Sequence, residues 1–358
     1  MRIGIVGLPN AGKSTLFNAL TAAGAPTGDY PFTTIDPNVA VVAVPDARLD
    51  RVAETVGASA VVPESIEFND IAGLVPGASR GEGLGNRFLG AIRETDAICH
   101  VVRAHHAEGV PHPEARVDPV ADIELIETEL LAADLDSAER RLERMIKQAR
   151  SGEAEAVAER DWLRAVVEAV SAGRPGRDVP VPEAAADGPR KLQALTAKPM
   201  LYVVNVDEGV DEVPPDVAAH AQSASAVAVA VSARVEAELQ DLGDPSAADA
   251  MRSELGIGES GLRRVIQGAW ELLDLISFFT ADAGKEAMAR AIAAGSTAYQ
   301  AAGKVHTDLQ RGFVRAEVIA WDELVEAGGY TRARDRGLIR TEGRDYVVRD
   351  GEVLHIRH

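Results

Sequence analysis

Two hydrophobic periods alternate along the chain, and the places where one gives way to the other divide it. Short strand-like runs recur at residues 2–6, 39–44, 65–70, 97–102, 200–204 and 226–231, most of them rich in apolar residues and valine or isoleucine. Such runs predict β-strands, the first of them buried. Between residues 121 and 170 the period becomes helical. Leu131, Leu135, Ala138, Leu142, Met145 and Ala149 are separated by alternating steps of four and three, the stripe of a coiled-coil seam. After a break at Ser151-Gly152, Leu163, Val166 and Val170 share a second helical face, so the stretch predicts two helices folded back as an antiparallel hairpin. Near the C-terminus, residues 275–280 and 287–292 predict a β-hairpin, 297–306 a short helix and 312–319 a strand. Residues 346–356 predict a second hairpin turning on Asp350-Gly351.

The pattern predicts an α/β protein of three parts. Residues 1–120 and 198–274, whose first strand runs into the G-x-x-x-x-G-K-[ST] stretch 7–14, are expected to form a P-loop nucleotide-binding (G) domain, 121–197 an inserted helical coiled-coil arm, and 275–358 a small β-grasp domain.

The first run leads straight into Gly7-Leu8-Pro9-Asn10-Ala11-Gly12-Lys13-Ser14-Thr15, which fits G-x-x-x-x-G-K-[ST] at every fixed position. Glycines let backbone amides turn inward to cradle phosphate oxygens. Lys13 supplies a charge for the β- and γ-phosphates, and the Ser14 hydroxyl is a natural ligand for magnesium (Mg2+). Leu16, Ala19 and Leu20 fall at helical spacing, so a helix N-terminus faces the anion.

Residues 27–38 carry two prolines and read as a switch loop, with Thr34 the expected magnesium ligand and Thr33 the alternative. Asp70-Ile71-Ala72-Gly73 fits D-x-x-G at a strand end. There Asp70 can hold magnesium through water while Gly73 meets the γ-phosphate. Leu74 follows, where Ras-like enzymes carry the glutamine that orients the attacking water. His112, in a loop shared with His105 and His106, is the candidate to replace it as a catalytic group. These histidines lack the cysteine cluster or ordered spacing of a structural zinc site.

Asn205-Val206-Asp207-Glu208 stands at a strand end where a GTPase carries N-K-x-D. Asn205 fits, but Val206 offers no lysine stem to the base and Glu208 is one methylene longer than the guanine-reading aspartate. Ser232-Ala233 then matches the element that closes a base pocket.

A net charge of −19 over 358 residues argues against bulk nucleic-acid coating, so any RNA contact needs a local patch. Lys304, Arg311 and Arg315 could form one, although scattered solvated charges are the better explanation of them on sequence alone. Cys99 is the only cysteine, which excludes an intrachain disulfide and suits a reducing cytoplasm. No apolar run reaches the ~20 residues of a membrane helix. Neither a membrane nor a DNA partner is expected.

Taken together, these motifs and the tail Ala301-Ala302-Gly303-Lys304-Val305-His306-Thr307-Asp308 closely resemble the YchF-type Obg-like ATPases over essentially the whole chain. The resemblance implies a G domain, a coiled-coil arm and a C-terminal TGS domain of the β-grasp kind, and an ATPase that associates with ribosomes and takes GTP less well. It also implies that Asn10, Ala11, Gly12, Lys13, Ser14 and Thr15 hold the phosphates. Ser14 and Thr34 would then ligate magnesium, Val206 would lie against adenine, and His112 would assist hydrolysis. Asn10 makes potassium (K+) a candidate second cation. A monomeric cytoplasmic protein is expected. The alternatives are an Obg-type GTPase, or a ribosome-binding module that nucleotide orders and that hydrolyses only incidentally.

Overall fold

The computed structural model describes residues 1–23, 38–71, 84–106 and 110–358. Thr33, Thr34, Gly73, Leu74 and most of both predicted switch loops lie outside these residues. The described strands are β1 (Arg2–Val6), β2 (Val39–Ala43), β3 (Ala60–Val62), β4 (Ser65–Asp70), β5 (Ala97–Arg103) and β6 (Met200–Asn205). They continue as β7 (Val227–Val231), β8 (Leu275–Ala281), β9 (Glu286–Ala293), β10 (Arg315–Ala320), β11 (Arg340–Glu342) and β12 (Glu352–Arg357). The chain forms two compact units, Met1–Val42 with Glu67–Ala269, and Ala43–Ile66 with Trp270–His358.

The first unit is built on a sheet of order β2-β4-β1-β5-β6-β7. β1 pairs in parallel with β4 and β5, β5 with β6, and β6 with β7. Every residue of β5 and β6 is buried, which is why those runs carry no polar alternation. Parallel pairing brings the carboxyl ends of these strands to one edge, where an α/β sheet places its ligand.

Helix α1 (Lys13–Ala23) follows the phosphate loop and buries Leu16, Phe17, Ala19 and Leu20. The other helices of the early chain are α2 (Ala47–Val56), α3 (Leu84–Arg93), α4 (Pro119–Gln148) and α5 (Ala154–Ser171). α4 starts cleanly because Pro119 lacks an N–H to satisfy and Asp118 accepts the Ala121 N–H at 3.1 Å. It serves two cores. Its first half puts Ile123, Ile126 and Leu130 against Val102, Tyr202 and Val204 of the sheet. Its second half joins α5, where Leu131, Leu135, Ala138, Leu142, Met145 and Ala149 share one cluster with Leu163, Val166 and Val170. At the changeover Asp134 is fully buried and accepts from Leu195 N, Thr196 N and Thr196 Oγ1 at 2.7–2.8 Å.

The second unit holds a mixed sheet of order β11-β10-β12-β8-β9-β3. It corrects two sequence expectations. The stretch between β2 and β4 falls inside the expected nucleotide domain 1–120, yet β3 pairs in parallel with β9, and Leu49, Val52 and Ala53 of α2 pack with Phe279, Ala287 and Val353. β9 has β8 on one side, and β3 takes the edge on its other side, which the C-terminal segment by itself would leave unpaired.

The second correction concerns the expected hairpin at Asp350-Gly351. β12 pairs antiparallel with β10 and parallel with β8, so both of its edges are taken. Val347 makes only an isolated bridge to Thr297. Asp350 is held elsewhere: its Oδ1 accepts the Ser277 N–H at 2.9 Å and its Oδ2 pairs with Arg48 at 2.5 Å.

Candidate nucleotide site

The phosphate loop has the backbone its glycines predict. Gly12 has φ +101°, and a Cβ there would overlap Asn205 Nδ2. Gly7 has φ +150°, and a Cβ there would strike the Val101 carbonyl of β5. Both positions exclude a side chain by contact as well as by dihedral. Asn10 also sits in the left-handed region at φ 64°, and its Nδ2 donates to the Pro111 carbonyl at 3.0 Å.

Lys13 Nζ donates to the Leu8 carbonyl at 2.8 Å. Burial lowers the Lys13 pKa and raises that of Asp70, and the attraction between the two opposes both shifts. Asp70 ends β4 beside Ile5, two residues before the phosphate loop opens at Gly7.

A cavity of about 660 Å³ opens at the carboxyl edge of the sheet. The phosphate loop contributes Asn10, Gly12, Lys13, Ser14 and Thr15, and the chain after β5 contributes His105, His106 and Val110. Asn205 through Glu208 and Ser232 through Arg234 complete it. This volume is ordinary for a small-molecule site. Ala11 does not line it; the residue is buried and its carbonyl accepts from Asn205 Nδ2 at 3.0 Å. Val206 is 4 % exposed at the wall.

His112 is not among the lining residues. Its ring Nδ1 accepts the Glu114 N–H at 3.1 Å and its Nε2 lies 2.8 Å from Asp122 Oδ2. The hydrogen-bond pattern therefore assigns the ring proton to Nε2, which donates to Asp122. The two side chains are only 4 % and 3 % exposed. Both ring nitrogens are thus engaged within the chain, and the contact ties this loop to α4. Asp122 is pushed up by burial, against the influence of His112.

The same loop is gripped from below. Arg103 is buried and its guanidinium donates to the Val110 carbonyl at 3.1 Å and faces the His105 carbonyl at 3.4 Å.

The sequence reading missed His105, His106, Asp207 and Arg234 as lining residues. The only available signal was their position within a few residues of the carboxyl ends of β5, β6 and β7, and it becomes meaningful only once those strands are known to be neighbours.

Comparison with known proteins agrees with this geometry. A family model described as 50S ribosome-binding GTPase matches residues 2–140, and the YchF-GTPase_C model, described as a protein of unknown function, matches 275–358. A Haemophilus ducreyi protein named ribosome-binding ATPase YchF is 47% identical over 99% of this chain and 98% of its own length. Relatives of the same name from Bacillus subtilis and Escherichia coli O157:H7 are 44% and 46% identical, again over 99% of this chain and 98% of theirs. The chain belongs to the YchF family. The solved Schizosaccharomyces pombe YchF GTPase superposes with a TM-score of 0.87 at 33% identity, covering 100% of this chain and 97% of that one. The YchF fold thus accounts for both units, including the P-loop sheet and the C-terminal domain.

Among the described residues no helix is long and apolar enough to cross a membrane.

Proposed function

We propose that this YchF-family protein binds ATP with magnesium, hydrolyses it, and uses the nucleotide state to bias its association with the ribosome. One observation carries the reading. The cavity joins the phosphate loop to Asn205, Val206 and Glu208, so Val206 stands where a guanine-reading site has its lysine and Glu208 where it has its aspartate. The names of the relatives support ATP and the ribosome as partners. GTP is the weaker substrate.

The donors suit magnesium. Ser14, in the first turn of α1, offers a hydroxyl and Asp70, at the end of β4, a carboxylate, hard oxygen ligands that complement phosphate oxygens, and Thr34 is the third candidate from the sequence. When bound, the ion would neutralise charge developing on the β- and γ-phosphates. Lys13 adds its own charge to those oxygens, and the amides of residues 10–15 orient them. Asn10 directs its amide nitrogen to Pro111, which leaves Oδ1 as the atom suited to a potassium ion. We read the protein as a cytoplasmic monomer, with the ribosome as its large partner.

Hydrolysis in the isolated chain is slow, because Leu74 cannot orient water and His112 is committed to Asp122. This observation keeps the second reading alive, in which ATP chiefly orders a ribosome-binding surface. Single-turnover hydrolysis with and without purified ribosomes separates the two: acceleration supports the ATPase cycle, and an unchanged rate supports the ordering role. The base is tested by calorimetry with ATP and GTP side by side. ATP is expected to bind tighter by at least about 1.4 kcal/mol, tenfold, and equal or tighter GTP binding overturns the assignment.

A further inference from the structure

Both carboxylates that follow Asn205 are already engaged by the chain itself. Glu208 Oε2 lies 2.7 Å from Arg234 Nη2. Asp207 accepts the His106 backbone N–H at 3.0 Å and meets its ring Nδ1 at 3.2 Å. All four residues line the cavity.

The chemistry of the two bases gives this arrangement a consequence. Guanine presents N1–H and the N2 amino group side by side, and a carboxylate at this strand end is the group that accepts both. Adenine presents a bare N1 and a C–H along the same edge, so it gains nothing from a carboxylate there. A guanidinium bound to Glu208 competes for the oxygens that guanine needs, and competes for nothing that adenine needs. Arg234 is well placed to persist in this role. It sits at the start of the helix Ala233–Gln240, and its Nε also lies 3.7 Å from Glu238, one helical turn on.

We propose that Arg234 is a specificity-determining residue of the nucleotide site, withholding the Glu208 carboxylate from guanine through their ion pair. This rests on the ATP reading above and deepens it: the preference is then carried by an occupied carboxylate as well as by the absence of a lysine at Val206. Guanine entering the site must displace Arg234 or leave its own N1–H and N2 donors unpaired.

The pair is solvent-exposed on both sides, at 70% and 47% of the side-chain surface, so its effect is a few-fold and not orders of magnitude.

The test is calorimetric titration of the full-length protein and its Arg234→Ala and Arg234→Ala/Glu208→Gln variants with ATP and with GTP in magnesium buffer. Removing Arg234 alone is expected to shift the GTP-to-ATP affinity ratio towards GTP by about threefold to fivefold. Removing the carboxylate as well is expected to cancel that shift. A ratio that stays put in Arg234→Ala, or a shift that survives in the double variant, overturns the proposal while the ATP assignment stands. An unmodified protein without ATP preference overturns the ATP assignment and this proposal with it. Thermal melts of each variant confirm that the ratio is read on folded protein.

Discussion

Asn205 Nδ2 donates to the Ala11 carbonyl at 3.0 Å while its Oδ1 accepts the Ala233 N–H at 3.0 Å, so one buried side chain bolts the phosphate loop to the segment after β7. Asn205→Ala leaves a carbonyl and an N–H without partners at a position only 6 % exposed. It is expected to cost about 1–3 kcal/mol of stability and to weaken ATP and GTP by the same factor. Denaturant melts and paired calorimetry check this. A loss confined to one base would show that Asn205 reads the base directly.

Lys13→Ala is expected to abolish magnesium-dependent turnover while leaving the melting temperature close to that of the parent. Burial disfavours the ammonium, and its hydrogen bond goes to the Leu8 carbonyl of the same loop, so its removal is expected to cost the fold little. Gly12→Ala should behave differently. Its Cβ would collide with Asn205 and break the brace, so melting temperature and nucleotide affinity should fall together. Turnover persisting in folded Lys13→Ala would remove this loop from the site.

His112 and Asp122 act as one unit, each holding the other in a place closed to solvent. His112→Ala and Asp122→Ala are each expected to cost about 1–3 kcal/mol, with the double variant well short of the sum. The same non-additivity should appear in single-turnover ATP hydrolysis. Additive effects in both measurements would mean that the two side chains do not depend on each other.

The second unit needs its N-terminal contribution. A fragment of residues 270–358 lacks α2 and β3, which exposes Phe279 and Ala287 and leaves the β9 edge unpaired. Such a fragment is expected to bind hydrophobic dyes and to unfold without cooperativity. In the full chain, Leu49→Ala should destabilise this unit by about 2–5 kcal/mol. A fragment that melts cooperatively at the parent temperature would contradict the packing.

What the sequence determined by itself was everything encoded locally. The strand and phosphate loop of residues 2–14, Asp70 at a strand end, the seam from Leu131 to Ala149 and the hairpin of β8 and β9 are written in short-range period and spacing, because helices and tight turns are stabilised by neighbours in the chain. Asn205, Val206 and Ser232 could be assigned to a base pocket for the same reason: their motifs sit at the ends of legible strands.

Tertiary structure decided what depends on partners far away in sequence. Which sheet edge β3 joins, and whether residues 346–349 pair with β12, are settled by competition for free backbone donors and acceptors, which no local pattern records. The same holds for His112. Its sequence context offers a loop imidazole free to serve a reaction, and only the fold brings Asp122 and the Glu114 N–H to its two nitrogens. Arg234 and Glu208 are 26 residues apart and meet because β6 and β7 run in parallel side by side. A side chain's chemistry is fixed by its residue type, but the protons and lone pairs it has left to offer depend on which strands end beside it.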